Sequence, residues 1–294
     1  MSSSIPGPAG LPRALAELDR TLVMGVLNVT PDSFSDGGRY LEPEAAIARG
    51  RELVEAGADL VDVGGESTRP GAERIPLDEE LRRVIPVVRE LATGGVLVSI
   101  DTMRAEVAAQ ALAAGAMLVN DVSGGLADPE MLGFVATTHL PYVVMHWRGP
   151  STVMAGLAEY DDVVRDVRAE LGARLEAVVS AGIDPAYIVL DPGLGFAKDA
   201  GHNWSLLAHL DAIAALGRPL LVGASRKRFL GELVTGAPAD AGSVGGTAAD
   251  RDGTTAAVSA LAAAAGTWCL RVHEPAPSRD AVAVAARWRL AGNL

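Results

Sequence analysis

The stretch Leu22-Val23-Met24-Gly25-Val26-Leu27-Asn28, followed by the loop Val29-Thr30-Pro31-Asp32-Ser33-Phe34-Ser35-Asp36-Gly37-Gly38, sets the pattern for the whole chain. An apolar run long enough for a buried strand stops at a polar side chain. A loop of turn formers and small polar residues then leads into a helical pattern near Pro43. Eight such apolar runs end near Asn28, Asp62, Asp101, Asn120/Asp121, His146, Asp191, Ser225 and His273. Strand-length runs that alternate with helices, without hairpin signals, favour a parallel sheet. Polar residues at the far end of every strand predict a closed (β/α)8 barrel, α/β in class, with one active mouth. A doubly wound sheet is the alternative architecture.

Residues 1–20 open with Ser, Pro, Gly and Ala and are expected to form a flexible arm, leaving 21–294 for a single barrel domain. Ala46, Ile47, Gly50, Leu53, Val54 and Gly57 recur at helical spacing after the first loop. Leu81, Val84, Ile85, Val88 and Leu91 mark the next helix, with a bend or restart expected at Pro86. Further helices are expected over 104–114, 161–181, 203–216 and 225–234. Residues 236–253 turn to Gly, Ala, Ser, Thr and Asp, the signature of a mobile surface loop.

Nearly half the residues are apolar and only 4% aromatic, so Ala, Val, Leu and Ile must fill the core. A net charge of −12 argues against a nucleic-acid surface, which needs clustered cations. It does not argue against small anionic substrates. A single cysteine, Cys269, permits neither an internal disulfide nor a cysteine zinc site. The first residues lack the basic and apolar regions of a signal peptide, and no apolar stretch is long enough to span a membrane. A soluble cytoplasmic protein is expected.

Asp191-Pro192-Gly193-Leu194-Gly195-Phe196 would ordinarily be a tight turn. At a strand end it can instead raise a carboxylate into the mouth, where two oxygens accept from an amidine-like edge. Asp101 and Asn120 alone read as helix caps. Together with Asp191 they suit a flat, nitrogen-rich heterocycle. Gly223-Ala224-Ser225-Arg226-Lys227-Arg228-Phe229 places three cations where a helix is expected to begin. That opposes the macrodipole, a conflict that a bound anion would relieve. Arg271 and His273 share one side of the last strand, and with Asn28 they read as a phosphate cradle. Asn28 could also ligate Mg²⁺, which takes few protein ligands. His146 lacks a partner at metal-ligand spacing and reads as structural.

These motifs together resemble the dihydropteroate synthase family, in family order and over nearly the whole chain from residue 22. The further pieces are Gly64-Gly-Glu-Ser-Thr-Arg-Pro-Gly71, Ser99-Ile-Asp-Thr102, Asn120-Asp-Val122 and Met145-His146. The resemblance implies a TIM barrel that joins 6-hydroxymethyl-7,8-dihydropterin pyrophosphate to p-aminobenzoate and releases pyrophosphate. Carried over, Asp101, Asn120, Met145, Asp191, Gly223, Lys227 and Arg271 would hold the pterin. Phe34, Thr68, Arg69, Pro70, Phe196, Ser225 and Arg228 would meet the aminobenzoate. Asn28, Thr68, Arg271 and His273 would bind the pyrophosphate, with Mg²⁺ on Asn28. Lys227, Arg271, His273 and Asp36 would carry the chemistry, and the protein would be a homodimer. Arg228 stands where some members have Ser, and Glu274 where Asp is common. A pterin-binding corrinoid methyltransferase would share the pterin floor but need neither the pyrophosphate cradle nor the first two loops. A non-catalytic homologue should have lost loop residues, and here none is missing.

Overall fold

The computed structural model describes residues 7–30, 42–67, 71–235 and 247–292. Eight strands form one all-parallel sheet: β1 Leu22–Asn28, β2 Leu60–Gly64, β3 Val98–Asp101, β4 Leu118–Asp121, β5 Tyr142–Met145, β6 Ile188–Asp191, β7 Leu221–Val222 and β8 Cys269–Val272. They are ordered β6-β5-β4-β3-β2-β1-β8-β7. A parallel bridge between Leu190 and Leu220 joins β6 to β7 and closes the ring. The expected barrel is what the chain forms: its strands are buried on both faces and must be covered on both.

Alternation along the strands divides the core in two. Val23, Leu27, Val61, Val63, Val98, Ile100, Val119, Val144 and Leu190 face outward, under the helices. Leu22, Met24, Leu60, Leu118, Val143, Val189, Leu221 and Cys269 fill the barrel floor. Above that floor the same inward positions become polar: Asp62 pairs in register with Ser99, Asp101 with Asn120, and Met145 with Asp191. The site is thus a change of residue type along the inward face, not a separate element.

The helices are α1 Arg13–Ala16, α2 Glu42–Glu55, α3 Leu77–Thr93, α4 Ala105–Ala113, α5 Met131–Val135, α6 Val163–Ser180, α7 Ala200–Ala208, α8 Leu210–Ala214, α9 Gly231–Thr235, α10 Asp252–Ala264 and α11 Pro275–Leu290. Asp162 caps α6 by accepting from the amides of Val164 and Arg165, both at 3.0 Å.

Several expectations differ from the structure. α3 runs unbroken through Pro86, which is exposed, so the carbonyl it strands can be solvated. The helix expected over 203–216 divides at His209 into α7 and α8. Residues 225–234 hold only a 3-10 turn, Arg228–Leu230, followed by the short α9. Of the low-complexity stretch, 236–246 lie outside the described residues, whereas Ala249–Arg251 form a 3-10 turn and Asp252 begins α10.

Residues 7–20 are not a free arm. Leu15 is buried, and Leu11 and Leu18 pack with it beneath Trp268, sealing the barrel floor. The Arg20 guanidinium forks onto Asp59 at 2.7 and 2.8 Å. The three leucines, at helical spacing, supply the apolar face that the surrounding Pro and Gly conceal.

Candidate active site

Arg271 organises the C-terminal mouth. It rises inward from β8, Nε donating to Asp62 Oδ2 at 2.6 Å and Nη2 to Asp101 Oδ2 at 2.6 Å. Asn120 Nδ2 donates to the same Asp62 oxygen at 2.9 Å. Burial pushes the Asp101 carboxyl up, with the neighbouring Asp62, Glu80 and Asp121 adding to the rise against the pull of Arg271. The Arg271 guanidinium is held charged by its two carboxylates despite burial. Asp62 is fully buried, and its Oδ1 has no hydrogen-bond partner.

Opposite stands the β6 loop. Asp191 Oδ1 accepts from the Gly193 amide at 2.7 Å, leaving its second oxygen available. Burial raises this carboxyl, while Lys227, Arg271 and Lys198 oppose the rise. Lys227 donates to the Leu194 carbonyl, and its Nζ lies 4.9 Å from the centre of the Phe196 ring. Burial lowers Lys227 to about 8, against the attraction of Asp191. Gly193 has φ 67°, and a Cβ there would stand 2.4 Å from the His146 carbonyl oxygen, so only glycine lets the loop lie this close to β5. A Cβ on Gly223 would stand 3.8 Å from Arg271 Cβ and 3.9 Å from Lys227 Nζ, within the opening that the two cations flank. Met145 is buried beside Asp191.

At the rim, the Ser225 hydroxyl lies 3.1 Å from both the amide and Nδ1 of His273. If Oγ accepts from the amide, its own hydrogen serves Nδ1, which leaves the proton on Nε2. Burial and the nearby Arg271, Arg226 and Lys227 lower His273 to about 3, so it acts as a neutral donor. Asn28 is half-buried at the end of β1. No group of three or more His, Cys, Asp or Glu able to hold a metal occurs among the described residues. One amide oxygen suits Mg²⁺ arriving on a diphosphate and keeping its waters better than a resident ion.

The inward positions expected to face a heterocycle, Asp101, Asn120, Met145, Asp191 and Arg271, do converge, and Lys227, Gly223, Phe196, Ser225 and His273 join them. Asp101 and Asn120 engage Arg271 and Asp62 rather than capping helices. The three cations of 226–228 separate. Arg226, at φ 59°, turns to Asp252 with a two-pronged contact at 2.7 Å, Lys227 enters the site, and Arg228 is exposed. No long helix begins there, and Asp252 already meets the Arg226 charge, so the expected helix-end anion site is absent among the described residues. Phe34, Asp36, Thr68, Arg69 and Pro70 lie outside the described residues. Near the second of those loops, Glu66 accepts from Arg74 at 3.1 Å, and Arg104 contacts both Glu66 and Glu80.

Sequence reasoning missed two things. Asp62 was visible only as a strand end, and its place between Asn120 and Arg271 depends on the register across five strands, β4 to β8 through β3, β2 and β1. His146 is buried but not isolated, with Lys198 and Glu170 on either side of its ring.

Comparison with known proteins agrees with this geometry. The model of the pterin binding enzyme family matches residues 24–273. A dihydropteroate synthase of Mycobacterium leprae is 53% identical over 92% of this chain and 94% of its own length. The Xanthomonas albilineans dihydropteroate synthase solved with 4-aminobenzoic acid superposes with a TM-score of 0.84 at 45% identity, covering 94% of each chain. The same organism's enzyme in complex with 7,8-dihydropteroate gives a TM-score of 0.80 at 42% identity, over 94% of this chain and 95% of that one. These likenesses support neither the corrinoid methyltransferase nor the non-catalytic reading. The chain belongs to the dihydropteroate synthase family of pterin-binding enzymes.

Proposed function

We propose that this chain condenses 6-hydroxymethyl-7,8-dihydropterin pyrophosphate with p-aminobenzoate, giving 7,8-dihydropteroate and pyrophosphate. The observation that carries the reading is Arg271 spanning Asp62 and Asp101 beside Asn120, Asp191 and Lys227. A pterin edge alternates N–H donors with a carbonyl and ring nitrogens. Asp101 and Asp191 accept from the donors, while Asn120 and Lys227 offer hydrogens to the acceptors.

As the methylene C–O bond breaks, the electron pair leaves with pyrophosphate. Arg271 and the Nε2–H of His273 meet the negative charge where it develops. Positive charge left on the dihydropterin is offset by the surrounding carboxylates. The arylamine nitrogen then forms the new C–N bond and loses a proton, and no covalent enzyme intermediate is needed. Mg²⁺, held by Asn28 and the pyrophosphate, would supply further charge neutralisation. Phe34, Asp36, Thr68, Arg69 and Pro70 are assigned to the aminobenzoate and pyrophosphate on the sequence motif.

The protein acts as a homodimer in the cytoplasm. In support, Leu261 on α10 and Val284 and Leu290 on α11 are 73%, 61% and 70% exposed, apolar surface that a second copy would cover. No helix among the described residues is long and apolar enough to cross a membrane. A coupled assay for pyrophosphate release, with Mg²⁺ supplied, tests the reaction: release should require p-aminobenzoate, and folded protein without amine-dependent release would refute it.

A further inference from the structure

The β6 loop carries much of the site, yet it is tightly wound: Gly193, Gly195 and Ala197 all have positive φ, at 67°, 76° and 47°. A non-glycine residue in that region is strained, so something outside the turn must hold it. Lys198 does so. Its buried Nζ lies 2.9 Å from His146 Nδ1 and 3.0 Å from each of the carbonyls of Gly193 and Phe196. As an ammonium it has three hydrogens for three acceptors; burial lowers it to about 7 against the attraction of Asp191, so the full clasp belongs to the protonated form.

The protonation pattern follows from the far side of the ring. Glu170 Oε2 lies 2.9 Å from His146 Nε2, and Arg148, with the histidine, holds that carboxylate down at about 2. An ionised oxygen there requires a proton on Nε2, so Nδ1 is the acceptor and Lys198 the donor. Arg148 forks onto Glu170 at 2.5 and 3.0 Å and stacks 3.8 Å above the Tyr160 ring. The Tyr160 hydroxyl returns to the loop, donating to the Ala197 carbonyl at 3.0 Å. A circuit of side chains from the end of β5, from α6 and from the segment between them thus clasps the β6 loop.

We propose that Lys198, braced by His146 and Glu170, is a positioning residue for the proposed condensation: it fixes the loop that aims Asp191, presents the Leu194 carbonyl to Lys227 and sets Phe196 beside it. The inference rests on the function proposed above. Misplacing a binding group by a fraction of its length costs about 10- to 100-fold in a reaction that depends on orientation.

Lys198→Met keeps the side-chain volume and removes every donor. The expected result is a folded protein whose kcat/KM for the dihydropterin substrate falls about 10- to 100-fold, with amide exchange at Gly195 and Phe196 accelerated. His146→Leu, which removes one acceptor, should move both readouts in the same direction by less. His146→Gln, which can accept from Lys198 and donate to Glu170, should restore them. Wild-type kinetics and loop protection in folded Lys198→Met would overturn the inference, as would His146→Gln behaving like His146→Leu. Should Lys198→Met fail to fold, the two histidine variants decide it. Wild-type protein without turnover would count against the proposed reaction alone, since the exchange readout needs no substrate.

Discussion

Arg271 and Asp62 meet at 2.6 Å although β1 stands between their strands. The contact is lopsided. One oxygen of Asp62 accepts from both Arg271 and Asn120, while the other is buried without a partner. Leaving such an acceptor unmet costs about 1–3 kcal/mol, a cost tolerated where a ligand or water supplies the donor.

Asp62→Asn keeps the shape and removes the charge. It should lower kcat/KM for the dihydropterin substrate by about 10- to 100-fold, since the guanidinium loses the partner that orients it. Steady-state kinetics on protein with an unchanged circular dichroism spectrum check this. A rate within twofold of wild type, on the order of assay error in free energy, would return Asp62 to a purely structural role.

Arg271→Met should destabilise the protein by on the order of 3 kcal/mol at neutral pH, because Asp62 and Asp101 are left buried together. The penalty should shrink on acidification. Arg271 pulls the Asp101 carboxyl down against burial, so without it the folded variant keeps a proton at and above neutral pH that the folded wild type releases, whereas by pH 5 both hold it. By linkage the variant's deficit then lessens as pH falls. Urea denaturation at both pH values is the measurement, and a penalty independent of pH would contradict it.

Lys227, lowered to about 8, should set the basic limb of activity. As pH rises through that value the ammonium loses its charge, and with it the charged donor proposed for the pterin. kcat/KM for the dihydropterin substrate, which reports the free enzyme, should decline above pH 8. In Lys227→Arg that decline should vanish, at a lower overall rate.

His273 and His146 are lowered to about 3 and about 4, each chiefly by burial. A group whose folded pKa lies below its unfolded value contributes stability above the unfolded value, near 6.5 for histidine. That contribution is lost as pH falls through the folded values. Melting temperature should therefore drop between pH 6.5 and pH 4, and less steeply in His273→Asn. An equal slope in the two proteins would show that the His273 ring is not held neutral.

The barrel was legible because each strand announces itself as an apolar run with a polar end. The inward-facing polar set was legible because alternation from those ends puts Asp101, Asn120, Asp191 and Arg271 on one face. Contacts made through the fold left no such trace. Lys198 reads as an ordinary charge after Phe196, yet its imidazole partner lies 52 residues away and the next carboxylate 24 beyond that histidine. Arg226 looked like part of an anion site because Asp252, which neutralises it, sits in a stretch whose composition suggests a loop. The packing of residues 7–20 was hidden similarly, since Pro and Gly outnumber the few leucines that anchor it.

The central claim, that one flat nitrogen heterocycle occupies the mouth among Asp101, Asn120, Asp191 and Lys227, is tested most directly by a crystal structure of this chain with 7,8-dihydropteroate. The pterin ring should lie between those four side chains, with the Arg271 guanidinium against it and the aminobenzoate end beside Phe196. A ring bound elsewhere, such as the open groove along α6 lined by Arg165, Arg168 and His209, would contradict it.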